Sequence, residues 1–210
     1  IELAECLKEN NILLFADEVQ TFARTYKPFM FQHFGLDEYV DLVSVGKSTQ
    51  VCSTLFRDEI KPRPGLVSQT FTGSTSSLFA ARVILKEVLK GDLYDKGRKL
   101  GLNHKYFNKF KKELSKFEQI SNVGGIGGMI AFQVYDGSVE TTIKVMHELF
   151  RCGVIAFIAG KDPVKIRFLV PVPAMNPGHK SGYPRNDLVE IMHIVKRAFR
   201  EYDRKADKKD

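Results

Sequence analysis

The chain has 210 residues, 43% of them hydrophobic, and a formal net charge of +7 at pH 7. This composition supports a packed core, and no apolar run reaches the ~18–20 residues that a membrane-spanning helix requires; no signal peptide is visible. Basic residues in 96–116 and 196–209 are interspersed with acids, and no motif of a nucleic-acid-binding module occurs. We interpret the run KYFNKFKKELSK at 105–116 as a solvated helix face and expect neither a nucleic-acid nor a membrane partner.

The three cysteines, Cys6, Cys52 and Cys152, lie at irregular spacing. An odd number without a CxxC pair argues against a disulfide framework and against a zinc site, so no metal ligand set is expected. Free thiols fit a reducing compartment, and we expect a cytoplasmic protein. Cys52 is predicted to be a small core residue, with a reactive thiol as the alternative.

Two apolar runs near the start of the chain each lead to an ionisable residue. ILLFAD at 12–17 ends in Asp17, and YVDLVSVGK at 39–47 ends in Lys47. Both runs are short and lack helical periodicity, which favours strands buried on both faces of a sheet. The segment between them can supply a crossover. We therefore expect parallel strands whose carboxyl ends share one ligand-binding edge.

An acid and an amine at one sheet edge fit two kinds of site. One is an ion pair that closes the sheet. The other is a site for pyridoxal phosphate (PLP), in which Lys47 forms a Schiff base with the cofactor aldehyde and Asp17 keeps the pyridine nitrogen protonated. Gly46, directly before the lysine, is expected to let the backbone turn sharply beside the ring.

The elements around these strands are predicted from periodicity and from turn residues. In order they are a short helix at 29–35, a strand at 51–56, a Gly/Ser/Thr loop opening a helix at 70–89, and a long helix at 92–117. A domain boundary is placed near residue 118. The first eleven residues have the pattern of a helix end that feeds a strand, so the chain is expected to begin inside a larger protein.

Residues 118–210 are predicted to form a smaller α+β domain, with helices on one face of a mainly antiparallel sheet. Its glycine-rich segment at 120–137 leads into a strand and not into a helix, which excludes a dinucleotide-binding fingerprint. The further predicted elements are a helix at 139–151, strands at 153–160 and 164–174, and a final helix from Asp187 to about 203.

Three ordered blocks of the sequence resemble the class III aminotransferases, which are fold-type I PLP enzymes. The blocks are ADEVQTFARTYKPFMFQHFG at 16–35, DLVSVGKSTQVCS at 41–53, and QTFTGSTSSLFAARVILKEV at 69–88. The resemblance implies an α/β fold in which residues 1–117 form the C-terminal part of the PLP-binding large domain with its linking helix. Residues 118–210 would then be the small C-terminal domain.

The resemblance also implies roles for individual residues. Asp17 would pair with the pyridine nitrogen, and Lys47 would carry the cofactor. Val19 and Gln20 would lie against the ring and near its phenolic oxygen. Thr70 would reach the phosphate of the neighbouring subunit's cofactor, which implies a homodimer.

Arg167 lies in the block KIRFLVPVP, and the resemblance implies that it binds the substrate carboxylate. An arginine within an apolar strand is costly unless it meets a carboxylate, and its guanidinium can form two parallel hydrogen bonds to one. The loop TFARTYK at 21–27 is one residue shorter than the usual family wording. Within it Arg24 is interpreted as a surface residue in an ion pair, and Glu18 before it as a polar residue at a strand end.

These features predict a PLP-dependent transaminase. It would move the amino group of an ω-amino donor, such as lysine, ornithine or a diamine, to a 2-oxo acid, with 2-oxoglutarate as the expected acceptor. The words GKSTQVC at 46–52 are most similar to the lysine 6-aminotransferase branch. The alternative is a catalytically inactive homologue with the same fold, which the shortened loop leaves open.

Overall fold

The three-dimensional structure is a computed structural model that describes residues 1–66, 73–89, 102–170 and 187–207. The chain divides into two compact units, Ile1–Lys99 and Leu100–Asp210. Among the described helices, none has both the length and the apolar character needed to cross a membrane.

The first unit contains a three-stranded sheet in the order β1-β2-β3. Its strands are β1 Leu14–Asp17, β2 Val40–Val45 and β3 Ser53–Phe56. Its helices are α1 Glu2–Glu9, α2 Met30–His33 and α3 Thr75–Leu89, with short 3₁₀ turns at Lys47–Thr49 and Asp58–Ile60. β1 and β2 are parallel, and β2 and β3 are antiparallel, so the predicted parallel pair is confirmed.

The expectation that both parallel strands are buried on both faces is wrong. Phe15 on β1 is 53% exposed, and on β2 one face, with Val43 and Val45, is buried while the other, with Leu42 and Ser44, is half-buried. The physical reason is position, because β1 is an edge strand of the described sheet and β2 is central to it. An apolar run alone does not distinguish an edge strand from a central one.

The second unit is built on a four-stranded sheet in the order β4-β5-β7-β6, with every pairing antiparallel. Its strands are β4 Ile120–Gly124, β5 Met129–Val134, β6 Phe157–Ala159 and β7 Lys165–Leu169. Its helices are α4 Leu102–Leu114, α5 Val139–Cys152 and α6 Asp187–Ala206. The predicted α+β arrangement is therefore observed.

Alternation along the strands gives the second sheet one closed face. Phe132 on β5 and both Ile166 and Phe168 on β7 are buried, while the residues between them are more exposed. Phe110 of α4 contacts Phe168 edge to face, with ring centroids 6.0 Å apart, so α4 covers this face. Residues of opposite parity, Arg167 among them, point to the other face.

Residues 125–128 of the glycine-rich segment form the turn from β4 into β5, so the predicted lead into a strand is confirmed, whereas the strand β4 before this turn was not predicted. Gly125 has φ +110°, and a Cβ there would lie 1.9 Å from the Met129 carbonyl oxygen, so only glycine fits.

The helix predicted over 92–117 is described from Leu102 to Leu114 and packs within the second unit. The limit of the PLP-binding domain near residue 118 remains a prediction.

Candidate functional site

Asp17 ends β1 beside Ser44 of β2, its partner in the parallel register. Its Oδ1 accepts two hydrogen bonds, from the Val19 N–H at 3.1 Å and from Ser44 Oγ at 2.9 Å. The Val19 bond, then the Ser44 bond, and more weakly the charge of Lys47 hold the pKa of Asp17 below its ordinary value, against a small opposing effect of burial. The carboxylate is therefore ionised at neutral pH. Among the described residues, none donates a hydrogen bond to its Oδ2, and Asp17 as a whole is exposed.

Lys47 follows β2 in a 3₁₀ turn and has an exposed side chain. Of the ion pairs formed by the described residues, none joins Asp17 to Lys47, so the first of the two predicted arrangements is not observed. The backbone of Lys47 is left-handed, with φ +41°. This conformation is uncommon for a residue with a side chain, and such strain concentrates at functional sites.

Gly46 does not have the role predicted for it. Its φ of −169° is extended backbone, which any residue adopts; the sharp change of direction occurs at Lys47 itself. A Cβ on Gly46 would make ordinary contacts, 3.4 Å from Cys52 Sγ and 3.5 Å from Val19 Cγ1. Val19 and Cys52 therefore flank the residue that precedes the lysine.

Cys52 is exposed, so its predicted place in the core is wrong. It follows the turn that carries Lys47 and precedes β3, all four residues of which are exposed. Of the remaining predicted cofactor residues, Gln20 is half-buried in the turn after Val19. Thr70 lies outside the described residues.

Glu18 is more important to the site than its sequence position suggests. It is 2% exposed, and its Oε1 accepts a hydrogen bond of 2.9 Å from the Phe31 N–H, while Oε2 accepts one from the Thr21 hydroxyl. Its own N–H donates to the Ser44 carbonyl at 2.9 Å. Glu18 thus anchors the loop that follows β1. In the sequence, the only indication of a role for Glu18 at the site is that it directly follows Asp17.

Arg24 is not the surface ion-pair residue that we predicted. It is half-buried, and its Nε donates a hydrogen bond of 3.2 Å to Ser48 Oγ, on the residue next to Lys47. Burial lowers the pKa of Arg24 below its ordinary value, although the group stays protonated in water. The shortened loop therefore reaches the lysine turn directly.

Arg167 belongs to the second unit and lies on β7 between Ala131 of β5 and Phe157 of β6. Its guanidinium carbon is 5.7 Å from the centre of the Phe157 ring, which is a cation–π contact. A guanidinium carries N–H donors in a planar fork that matches the two oxygens of a carboxylate.

The chemistry of the Asp17 and Lys47 pair fits PLP. An ionised carboxylate with one unused oxygen suits a protonated pyridine nitrogen, and an exposed primary amine suits an aldehyde. Both groups stand at the carboxyl ends of neighbouring parallel strands, the usual ligand edge of such sheets.

Residues 1–174 match the family model described as "Aminotransferase class-III". A diaminobutyrate–2-oxoglutarate transaminase of Halomonas elongata is 28% identical over 202 residues, covering 92% of this chain and 45% of the relative. An acetylornithine aminotransferase of Aquifex aeolicus is 31% identical over 178 residues, covering 81% and 43%. An L-lysine-epsilon aminotransferase of Mycobacterium tuberculosis is 29% identical over 178 residues, covering 79% and 37%. The chain thus spans less than half the length of these relatives.

Solved aminotransferases have the same fold. The acetylornithine aminotransferase of Elizabethkingia anophelis superposes with a TM-score of 0.73 at 24% identity, over 95% of this chain and 51% of that one. The lysine aminotransferase of M. tuberculosis, in the internal aldimine form, gives 0.72 at 23% identity, over 93% and 43%. The predicted α/β fold of type I is confirmed. The chain belongs to the class III aminotransferases, a family whose cofactor is PLP.

Proposed function

We propose that the protein is a PLP-dependent transaminase that moves the amino group of an ω-amino donor to a 2-oxo acid, with 2-oxoglutarate as the acceptor. The donor would be lysine, ornithine or a related diamine. The names of three relatives support this class, since they refer to diaminobutyrate with 2-oxoglutarate, to acetylornithine and to the ε-amino group of lysine.

One observation carries the proposal. Asp17 and Lys47 end two neighbouring parallel strands, and the acid is kept ionised by the Val19 and Ser44 hydrogen bonds. Asp17 and Lys47 do not form an ion pair with each other, so the carboxylate and the amine are both available to a ligand between them.

The proposed roles follow from these environments. Bound PLP supplies an electron sink for the negative charge that develops when the reacting carbon loses a proton. Asp17 accepts a hydrogen bond from the protonated pyridine nitrogen and stabilises its positive charge. Lys47 holds the cofactor through its amine and, when that amine is free, takes and returns the proton at the reacting carbon.

Further residues would complete the binding of the cofactor. Val19, beside Gly46, would pack on the ring, and Gln20 would lie near its phenolic oxygen. Thr70 would hold the phosphate bound in a neighbouring subunit, so the proposed enzyme is a homodimer. We place it in the cytoplasm, in agreement with its three cysteines, which are all free in the structure.

Arg167 is proposed to bind the substrate carboxylate. Its contact with Phe157 gives the guanidinium a neighbour on β6, and a guanidinium can present two parallel N–H donors to a carboxylate. The proposal for Arg167 is independent of that for Asp17 and Lys47, since they belong to different units.

The test is a panel of amino donors incubated with the purified protein, PLP and 2-oxoglutarate, with glutamate formation as the measurement. We expect glutamate from at least one ω-amino donor and a visible absorbance band that borohydride bleaches. A colourless protein that takes up no PLP and forms no glutamate would contradict the proposal and support an inactive homologue.

A further inference from the structure

Arg24 is a residue of the first unit that the proposed function leaves without a role. Its Nε donates 3.2 Å to Ser48 Oγ, across 24 positions of sequence. The bond joins the loop after β1 to the turn after β2, and Ser48 is the immediate neighbour of Lys47. An arginine that reaches this turn from another segment is well placed to control the geometry of the lysine.

The turn needs such control because Lys47 is strained. A residue with a side chain at φ +41° lies in a sparsely populated region of backbone conformation and persists only when its surroundings hold it. Gln50 stabilises the turn from within, with its N–H and its Nε2 donating to the Lys47 carbonyl at 3.1 and 3.0 Å. These bonds are local, so they do not fix the turn relative to β1.

The loop that carries Arg24 is itself firmly held. Glu18 anchors it through the 2.9 Å hydrogen bond from the Phe31 N–H. The Ala23 N–H donates to the Pro28 carbonyl at 2.8 Å, and Ala23 is only 1% exposed. A guanidinium on a loop that is buried and hydrogen-bonded can hold a partner in place, whereas one on a free surface chain cannot.

We propose that Arg24 is a positioning residue that acts through Ser48 to fix the turn on which Lys47 is presented. The inference rests on the proposed function, because it concerns the lysine that would carry PLP. Arg24 would act on the reactivity of Lys47 and not on the identity of the reacting residue. Its loss should therefore slow the reaction of Lys47 without moving it to another lysine.

The test is the rate at which PLP becomes attached to Lys47. The purified protein is mixed with PLP, samples are reduced with borohydride over time, and mass spectrometry measures the modified fraction of the Lys47 peptide. Arg24→Met should react about tenfold more slowly, which corresponds to about 1.4 kcal/mol. Ser48→Ala should be equally slow, and the double variant no slower than either, because all three lack the same bond.

Two further variants separate geometry from charge and from general effects. Arg24→Gln keeps an N–H donor without the charge and should recover part of the rate. Arg63→Met removes an exposed arginine of the first unit and should react as fast as the wild type. Thermal unfolding of every variant shows whether a slow reaction reflects a damaged fold.

The outcomes distinguish this inference from the proposed function. If Lys47 of the wild type is not modified at all, the proposed function is wrong. If the wild type reacts and Arg24→Met keeps pace with it, the positioning role is wrong. If the double variant reacts more slowly than either single variant, the positioning role is also wrong, because Arg24 and Ser48 would then act separately. Should Arg24→Met unfold early, Ser48→Ala and Arg24→Gln still decide the question.

Discussion

The two units of the chain differ in what they bury. Among the described residues, Val88 is the sole member of the first unit in the set of large side chains that are fully buried; the others, such as Phe132 and Leu149, belong to the second unit. The first unit also exposes more large apolar side chains than the second, 13 against 6 among the described residues, including Phe15 at 53% and Phe79 at 68%. The second unit thus has a closed core, and the first has open apolar surface.

The two units also differ in whether their charged side chains are buried and paired. In the second unit Glu148 is 5% exposed, and both of its carboxylate oxygens accept hydrogen bonds from Lys205, at 2.7 and 2.8 Å. In the first unit Asp17 and Lys47 are exposed and do not pair. A paired buried charge serves the fold, whereas an exposed and unpaired acid and amine on adjacent strands are available to a ligand.

The largest expected effect is that of Lys47→Ala. The variant should take up no PLP at the first unit's sheet edge and should form no measurable glutamate, because the substitution removes the amine that follows β2. Its thermal midpoint should stay close to the wild-type value, since the Lys47 side chain is exposed. Glutamate formation at the wild-type rate would remove Lys47 from the mechanism.

Asp17→Ala should be next, with transamination slower by on the order of 10³-fold, the size of effect seen when a preorganised electrostatic partner is removed. Asp58→Ala, which removes an exposed acid of the same unit, serves as the control. The pKa of Asp17 is below its ordinary 3.8, so its contribution should be constant at neutral pH and fade only below pH 3.8. A loss of a few-fold only would refute the pyridinium role.

Phe132→Ala should destabilise the second unit by about 3–5 kcal/mol, because it leaves a cavity in a closed core. Phe15→Ala on the edge strand is the matched change in the first unit and should cost about 1 kcal/mol or less. Both are measured by denaturant unfolding. A cost for Phe15→Ala as large as that for Phe132→Ala would show that β1 is covered in the native protein.

Lys205→Met should destabilise the second unit less than Phe132→Ala does, by about 1–3 kcal/mol, because Glu148 would keep Arg151 as its remaining partner. Lys196→Met, an exposed lysine of the same helix, is the control. Burial raises the pKa of Glu148, but the bonds from Lys205 and Arg151 outweigh it and leave the pKa below 4.5. The pair therefore stabilises the fold above pH 4.5, and the difference between variant and wild type should shrink in acid. A difference that persists well below that pH would contradict this assignment.

Much of the fold could be predicted from local pattern. The parallel pair ending in Asp17 and Lys47 follows from two short apolar runs, and the helix at 139–151 is observed as Val139–Cys152. The wrong predictions concern the exposure of individual side chains. Phe15 and Cys52 are apolar or small and so were assigned to the core, but exposure depends on which strand has a neighbour, which sequence pattern does not record.

The sequence predicts the residues of the site that would carry the chemistry, but not the residues that hold its loops in place. Asp17 and Lys47 were identified because each follows a strand-like run and matches a family motif. Glu18 and Arg24 were misjudged, because their partners, Phe31 and Ser48, are 13 and 24 positions away. Long-range hydrogen bonds of this kind depend on loop geometry, which one-residue changes in loop length alter.

The most direct test of the central claim is a crystal structure of the protein with PLP bound. We expect the cofactor aldehyde carbon to be bonded to Lys47 Nζ and the pyridine nitrogen to lie about 2.7–2.9 Å from Asp17 Oδ2, the distance of a charge-assisted hydrogen bond. A ring attached to another lysine, or a pyridine nitrogen that faces a different residue, would contradict the account.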